Sequence, residues 1–242
     1  MALMAAYLIA AYISISAPLY LELKSSVIWL PAGIALAAML RYGRSAIPAI
    51  FSAHVIAGLM YGNAFFAAFG AALGGIAEYA LGAYLLRRGG HFAKWRLSVR
   101  DTAALLVFGA LLAPIAGAGI GTLALAAAGA LSQGDIGRTA AYWWTGDAIG
   151  VLIMFPLAAS LLLDRKEPPP RSPVQLLPFL CASVATAIIF LFVDGTTLGA
   201  HAFQYLIFPF IAWGAITMST AQVASMNVVV TALAIFGTAL GH

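Results

Sequence analysis

Residues 64–86 read AFFAAFGAALGGIAEYALGAYLL, and Glu78 is the single charged residue in this stretch. A run of about 20 predominantly apolar residues is long enough to cross the hydrocarbon core of a bilayer as an α-helix. The rest of the chain has a similar composition, because 63% of its 242 residues are hydrophobic and only 8% are charged. Lipid must therefore serve as part of the solvent, and the stretch predicts a membrane-spanning helix.

Apolar segments of this kind recur along the whole chain. They lie near residues 2–21, 26–41, 46–61, 64–86, 102–128, 139–163, 174–193, 203–218 and 221–240. The second, third, eighth and ninth segments are at or near the lower limit of about 17 residues for a crossing, so they could form tilted hairpins or broken helices. We predict an all-α fold, a polytopic transmembrane helix bundle of about eight to nine spans that forms one integral membrane domain over residues 1–242.

The polar segments exclude several other classes of protein. The longest runs from Arg87 to Asp101, whereas compact soluble domains rarely fall below roughly 50 residues. The sequence contains no nucleophile–base pattern, phosphate-binding loop or zinc-ligand spacing. We therefore expect no enzymatic activity, no metal and no cofactor. The net charge of +4 is too small to indicate a nucleic-acid partner.

The basic residues predict the orientation in the membrane. Ten of the twelve lysines and arginines lie in the three loops that follow the second, fourth and sixth apolar segments. Nine crossings would place these loops on one side of the bilayer. Because cytoplasmic loops carry an excess of Lys and Arg, we expect the amino terminus and these loops to be cytoplasmic.

Glu78 shares one helical face with three glycines. Gly70, Gly74, Glu78 and Gly82 recur at four-residue steps, and glycine stripes let a second helix approach closely. Glu78 should therefore point into a helix–helix contact, where burial favours its protonated form. One interpretation is a proton or cation sensor, and the other is a neutral glutamic acid that hydrogen-bonds across helices as a structural element.

Asp147 lies in a second polar stretch, together with Trp143, Trp144, Gly146 and Gly150. One interpretation is a ligand pocket in which Asp147 lies beside small residues and an aromatic wall. The other is an aromatic belt at the membrane interface, followed by Asp147 as the cap of a helix whose first N–H groups need acceptors. Caps are the commoner use of such a residue, and both roles could coexist.

His54 lies alone among apolar neighbours in the third segment. Such a histidine is more often a satisfied packing residue than a ligand. A metal site needs three or four ligands, and no His or Cys spacing supplies them. We keep His54 as a candidate for ligand binding without a metal.

The order of the motifs resembles the first type of bacterial membrane-associated sensor domains, the MASE family. The most specific element is WWTGDAIGVL at residues 143–152, and WLPAG at residues 29–33 is next. The remaining residues that carry the resemblance, or that lie at predicted helix starts and interfaces, are Trp29, Pro31, Gly33, Pro156 and Pro209. The resemblance covers essentially the whole chain.

This resemblance implies an integral sensory module of the bacterial inner membrane. Members are typically the amino-terminal input to histidine kinases or to enzymes of cyclic-di-GMP turnover. This sequence has no basic residue in Thr217-Met218-Ser219, where the family usually carries one. It also ends at His242, before the further segment that would lead into an output domain. We therefore expect either a sequence that is part of a longer protein or a stand-alone relative that acts through partners.

The function that these observations favour is a sensory input domain. We expect a small ligand or a proton to bind among the spans near Glu78 and Asp147, and the signal to pass to a cytoplasmic output domain or a partner signalling protein. The expected partners also include the lipid bilayer and a second copy of the chain, in a homo-oligomer. The alternative functions are a small membrane transporter, or a substrate-binding subunit of one, and a pure anchor or oligomerisation module.

Overall fold

A computed structural model describes residues 1–16, 20–21, 25–26, 28–90, 98–163, 173–192 and 203–239. Within these ranges the chain is helical, apart from two short antiparallel strands, β1 (Tyr20–Leu21) and β2 (Ser25–Ser26). The predicted all-α fold is confirmed. Much of the basic loops that predict the orientation, and the terminal His242, lie outside the described residues.

The described residues divide into two compact units, one within residues 1–163 and the other within residues 173–239. The helices of the first unit are α1 (Ala2–Ser16), α2 (Pro31–Tyr42), α3 (Ile47–Met60), α4 (Phe65–Arg88), α5 (Val99–Ala104), a π-helical segment (Leu105–Leu112), α6 (Ala113–Ala127) and α7 (Ile136–Leu162). Short 3₁₀ turns at Gly43–Ala46 and Gln133–Asp135 precede α3 and α7.

Six helical stretches of the described chain are long and apolar enough to cross a membrane. They are Pro31–Met60, Phe65–Arg88, Val99–Ala127, Gln133–Leu162, Val174–Phe192 and Thr220–Thr238, and two shorter apolar helices cover Ala2–Ile15 and Gln204–Thr217. The multi-pass architecture predicted from the apolar segments is therefore present.

The stretch Pro31–Met60 reverses direction near its middle. Gly43 has a positive φ of 61°, which ends α2 in a conformation that favours glycine. The rings of Trp29 and Tyr61, which flank the stretch, lie only 6.1 Å apart. α2 and α3 therefore form a hairpin, and their 12 and 14 residues correspond to about 18 and 21 Å of helix. These are the short second and third segments of the sequence.

The fifth apolar segment is one continuous helical stretch that widens into a π-helix at Leu105–Leu112. Pro114 follows in the first turn of α6. Proline has no N–H to donate, and its ring clashes with the carbonyl group four residues earlier in a regular α-helix. The wider π-turns immediately before Pro114 accommodate this break without ending the helix.

α4 and α6 pack through small residues at four-residue steps. A Cβ atom at Gly74 would lie 2.7 Å from the backbone nitrogen of Gly121, so the two backbones are in direct contact. The paired positions along the contact are Gly70 with Ala124, Gly74 with Gly121, and Gly82 with Ala113. The numbers rise on α4 as they fall on α6, which makes the pair antiparallel.

α2 and α7 are in equally close contact. The backbone N–H of Trp29 donates to the carbonyl oxygen of Gly146 at 2.9 Å. A Cβ atom at Gly33 would lie 2.9 Å from the carbonyl oxygen of Gly150, and a Cβ atom at Gly150 would collide with the carbonyl oxygen of Trp29. Only glycine fits at Gly33 and Gly150 without separating the helices.

The second unit contains α8 (Leu177–Phe192), α9 (Phe208–Thr217) and α10 (Thr220–Ala239). Pro209 lies in the first turn of α9, where its missing N–H costs no helical hydrogen bond. Glycines again mark the contacts, because Gly214 faces Met226 and Gly237 faces the backbone of Phe190.

We predict that Gly150→Ala destabilises the protein by about 2–3 kcal/mol, because the new methyl group meets backbone atoms that cannot rotate away. The matched control is Gly137→Ala in the same helix, where a Cβ atom meets nothing within 4 Å. The measurement is the apparent unfolding midpoint of each variant in detergent. Equal midpoints for the two variants would contradict the contact between α2 and α7.

Candidate functional site

Polar side chains from several helices meet in the interior of the first unit. Tyr7 of α1, His54 of α3, Glu78 of α4 and Asp147 of α7 are all buried. Each of them lies in a predominantly apolar helix, and the four come from four different helices. The cluster is therefore assembled by the tertiary fold.

Glu78 and Asp147 form a pair of carboxyl groups. Each residue is only 1% exposed, and the two carboxyl groups lie close enough to interact electrostatically. Neither side-chain oxygen of Glu78 accepts a hydrogen bond from a donor among the described residues. Because two carboxylates are both acceptors, a bond between them requires a proton on one of them. A buried pair of carboxyl groups of this kind can hold at least one proton.

Asp147 also accepts a hydrogen bond within its own helix. The indole Nε1 of Trp143 donates to Oδ2 of Asp147 at 2.8 Å, across one turn of α7. α7 begins at Ile136, well before the tryptophans, so the prediction that Asp147 caps a helix is wrong. The N–H groups without helical partners lie in the first turn of α7, out of reach of Asp147.

Each of the large groups in the cluster packs against a glycine of a neighbouring helix. A Cβ atom at Gly117 would overlap the carboxyl group of Glu78, and one at Gly121 would overlap the indole of Trp143. A Cβ atom at Gly75 would lie 2.6 Å from Nδ1 of His54. Glycines 75, 117 and 121 thus provide the space that the side chains of the cluster occupy.

Aromatic rings surround His54. The hydroxyl group of Tyr7 lies 2.9 Å from Nδ1 of His54, at hydrogen-bonding distance. The ring of His54 lies 5.8 Å from that of Trp29 and 6.4 Å from that of Trp143, measured between centroids. His54 therefore has a hydrogen-bond partner and aromatic neighbours, and it joins α1, α3 and α7 at one point.

A cavity of about 60 Å³ lies among these side chains. A single water needs roughly 10–15 Å³ of such volume, so the cavity has room for several waters or a ligand of a few heavy atoms. Its lining runs from Asp147, which is buried, to Tyr61 and Asn63, just beyond the end of α3. The other lining residues are Ser26, Trp29, His54, Gly58, Ala71, Leu125 and Trp143.

The described residues contain no group of three or more His, Cys, Asp and Glu side chains that could hold a metal ion. The arrangement can instead bind a small molecule through Asp147 and the aromatic rings, and it can hold or release a proton at the carboxyl pair.

The MASE1 family model matches residues 1–242, the full length of the sequence. This chain belongs to the MASE1 family. The resemblance seen in the WLPAG and WWTGDAIGVL stretches is thereby confirmed. The MASE1 domain is an integral membrane sensory domain of bacterial signal transduction, an input module that is not itself catalytic. No curated protein sequence and no solved structure matches the chain.

Several of the predicted residues lie outside the cavity of the MASE1 domain. Trp144 does not line the cavity, and its Nε1 donates to the carbonyl oxygen of Leu111 at 2.8 Å. Pro156 lies inside α7, and Pro31 opens α2. Among the predicted interface residues, Trp29 lines the cavity. The carbonyl oxygen of Gly146, the residue before Asp147, accepts the hydrogen bond from the backbone N–H of Trp29.

Tyr7, Tyr79, Tyr61 and Asn63 belong to the site or its surroundings and were not predicted from the sequence. Tyr7 and Tyr79 are buried beside the carboxyl pair, and Tyr61 and Asn63 line the cavity. A tyrosine or an asparagine in a segment of this composition does not by itself indicate a functional site. The four-residue spacing of Gly117 and Gly121, which matches that of Gly70 and Gly74, could have indicated which helix faces Glu78.

We predict that Trp143→Phe destabilises the MASE1 domain by about 1–3 kcal/mol, because it leaves a buried carboxyl oxygen without its donor. The control is the same change in an Asp147→Leu background, where no acceptor remains and the loss should be smaller. The measurement is a double-mutant cycle of unfolding midpoints in detergent. Equal losses in the two backgrounds would show that only the volume of the indole ring contributes.

Proposed function

We propose that this MASE1 domain senses a small ligand, or a proton, at the cavity lined by Asp147 of the Glu78–Asp147 pair. The observation that carries the proposal is that Asp147, which interacts with the buried Glu78, lines a cavity with aromatic walls. Among the described residues, no lysine or arginine forms an ion pair with either carboxyl group. A buried acid without a basic partner is costly in a membrane, which supports a functional rather than a structural role.

The packing around the cavity supports a two-state response. Asp147 of α7 and Trp29, which precedes α2, both line the cavity, and the two helices touch through backbone atoms at Gly33 and Gly150. A ligand that prefers one arrangement of these helices shifts the population toward it by its differential affinity alone. Binding in the cavity would therefore act directly on a helix–helix contact.

The signal would pass from the MASE1 domain to a cytoplasmic output domain or partner protein. A sensory input domain implies coupling to a signalling partner, and we propose a histidine kinase, an enzyme of cyclic-di-GMP turnover or a separate partner signalling protein. We also propose that the domain works as a homo-oligomer in the bacterial inner membrane, with the lipid bilayer as its surroundings.

A transporter is the second candidate function. The hairpin of two short helices, α2 and α3, lies beside the cavity, and short or interrupted helices line the substrate sites of many transporters. Saturable uptake of a bound compound into proteoliposomes would favour the transporter, whereas binding without uptake would favour the sensor.

We predict that a panel of metabolites, nucleotides and pH values contains a condition that stabilises the parent protein but not Asp147→Asn. A ligand present at 100 times its dissociation constant should add about 2.7 kcal/mol to the stability of the native state. The measurement is the unfolding midpoint in detergent.

The matched control for this panel is Asp135→Asn. Asp135 lies immediately before α7, at the surface, where it pairs with Arg138 at 2.7 Å. This variant should respond to the ligand like the parent, because an exposed pair contributes little to stability. A panel that leaves the parent unchanged under every condition would mean that the carboxyl pair is structural.

We predict that the amino terminus and the turn between α2 and α3 face the cytoplasm. Single cysteines at Ser45 and Ser132, both exposed, would report on the two ends of the first unit in a Cys181→Ser background. In intact cells a membrane-impermeant maleimide should label Ser132→Cys and not Ser45→Cys, and after permeabilisation it should label both. Labelling of Ser45→Cys in intact cells would reverse the orientation.

A further inference from the structure

The cavity beside Asp147 is lined by an acceptor oxygen that the described residues leave without a donor. Oδ1 of Asn63 is buried and accepts no hydrogen bond from the described part of the chain. Both oxygens of Glu78, which does not line the cavity but interacts with Asp147, also lack a donor among the described residues. The indole N–H of Trp143 is already bonded to Asp147. A ligand that satisfies this site must donate hydrogen bonds, which disfavours anions such as phosphate or a carboxylate.

The walls of the cavity favour a cation that carries carbon. Trp29, Tyr61 and Trp143 line it, and the faces of indole and phenol rings attract a cation within about 6 Å. Metal ions such as Ca²⁺ and Mg²⁺ instead need about six oxygen ligands. Aromatic rings and a carboxylate in one lining form the combination that holds an ammonium group with its alkyl substituents.

We infer that this cavity binds a small organic ammonium ion, with its N–H groups on Asp147 and its alkyl groups against Trp29, Tyr61 and Trp143. The volume of about 60 Å³ limits the ion to a few heavy atoms. This inference rests on the proposed function, because it specifies the ligand of the same cavity.

Binding of the ammonium ion competes with a proton. When the cavity holds no cation, both members of a buried carboxyl pair can be protonated, and the pair is then neutral. The ammonium ion brings one positive charge to Asp147, and Asp147 loses its proton to the solvent. Glu78 keeps its proton and donates a hydrogen bond to the Asp147 carboxylate. One charge enters and one leaves, so the buried site stays neutral.

Three other titratable groups lie nearby. Tyr7 on α1 and Tyr79 on α4 interact with the pair, and His54 on α3 lines the cavity together with Asp147. α6 and the π-helical segment contain none. Of these three groups, His54 is the one that ordinarily titrates between pH 5 and 8. A protonated His54 would also repel a cation, so the experiment must separate its contribution from that of Asp147.

The experiment is a tryptophan-fluorescence titration of the full chain in detergent with ethylammonium chloride, since Trp29 and Trp143 line the cavity. Ethanol and sodium acetate serve as neutral and anionic ligands of similar size, and sodium chloride controls for ionic strength. We expect a saturable change with ethylammonium alone. Asp147→Asn should weaken binding roughly 30-fold or more, because a buried charge partner is lost, and Asp135→Asn should bind like the parent.

The same titration is repeated between pH 5 and 8. The apparent Kd for ethylammonium should fall by up to about tenfold for each unit rise in pH while Asp147 is still protonated, because proton and cation compete for one carboxylate. His54→Gln is expected to change the affinity but to keep this slope. If the pH dependence of the apparent Kd disappears in His54→Gln, the titrating group is His54, and the exchange of a proton for the ammonium ion at Asp147 is overturned.

The outcomes separate this inference from the proposed function. If ethylammonium, ethanol and sodium ions give the same response, or none, the ammonium inference is overturned. A different compound that stabilises the parent but not Asp147→Asn would then still support the proposed function. If neither ethylammonium nor any member of the panel binds, both the inference and the proposed function fail.

Discussion

Direct contact between helix backbones at glycines determines where the polar groups of the first unit lie. The approach of α4 to α6 at Gly74 and Gly121 brings Glu78 against Gly117, and the approach of α2 to α7 at Gly150 brings Trp29 beside Asp147. Lipid exerts no hydrophobic force between helices, so close packing and polar contacts must hold them together. A larger side chain at these glycines would separate the helices and the two carboxyl groups as well.

The contacts among the polar groups follow from the low dielectric of this environment. Tyr7 reaches His54, and Trp143 reaches Asp147, because an unpaired polar group in an apolar interior costs a large part of its hydration energy. Glu78 has the carboxyl group of Asp147 as its neighbour and no cation among the described residues. A proton is the smallest counter-charge that can join the two acids. In the proposed exchange a cationic ligand displaces the proton of Asp147, while the proton of Glu78 stays between the two groups.

The sequence predicted the helices and the two acids, but not that the acids meet. Long apolar segments and the glycine spacing around Glu78 are local patterns, so the bundle and the close-packed face of α4 could be read from them. Whether Asp147 caps a helix depends on where α7 begins. The start at Ile136 keeps Tyr142, Trp143 and Trp144 helical, a continuation that the aromatic cluster did not reveal. The partners Tyr7 and Asn63 come from distant segments, and nothing in their own neighbourhoods marks them.

The position of Asp147 relates ligand binding to helix packing. Gly146, its neighbour in sequence, accepts the backbone bond from Trp29, and one turn further along α7 Gly150 contacts the same residue. A ligand between Trp29 and Asp147 would therefore touch both sides of one helix contact. Since close-packed interfaces are not continuously deformable, such a contact either holds or separates. A ligand that moved Trp29 relative to Asp147 would therefore act on the packing of α2 against α7, which is the kind of change that a sensory domain must transmit.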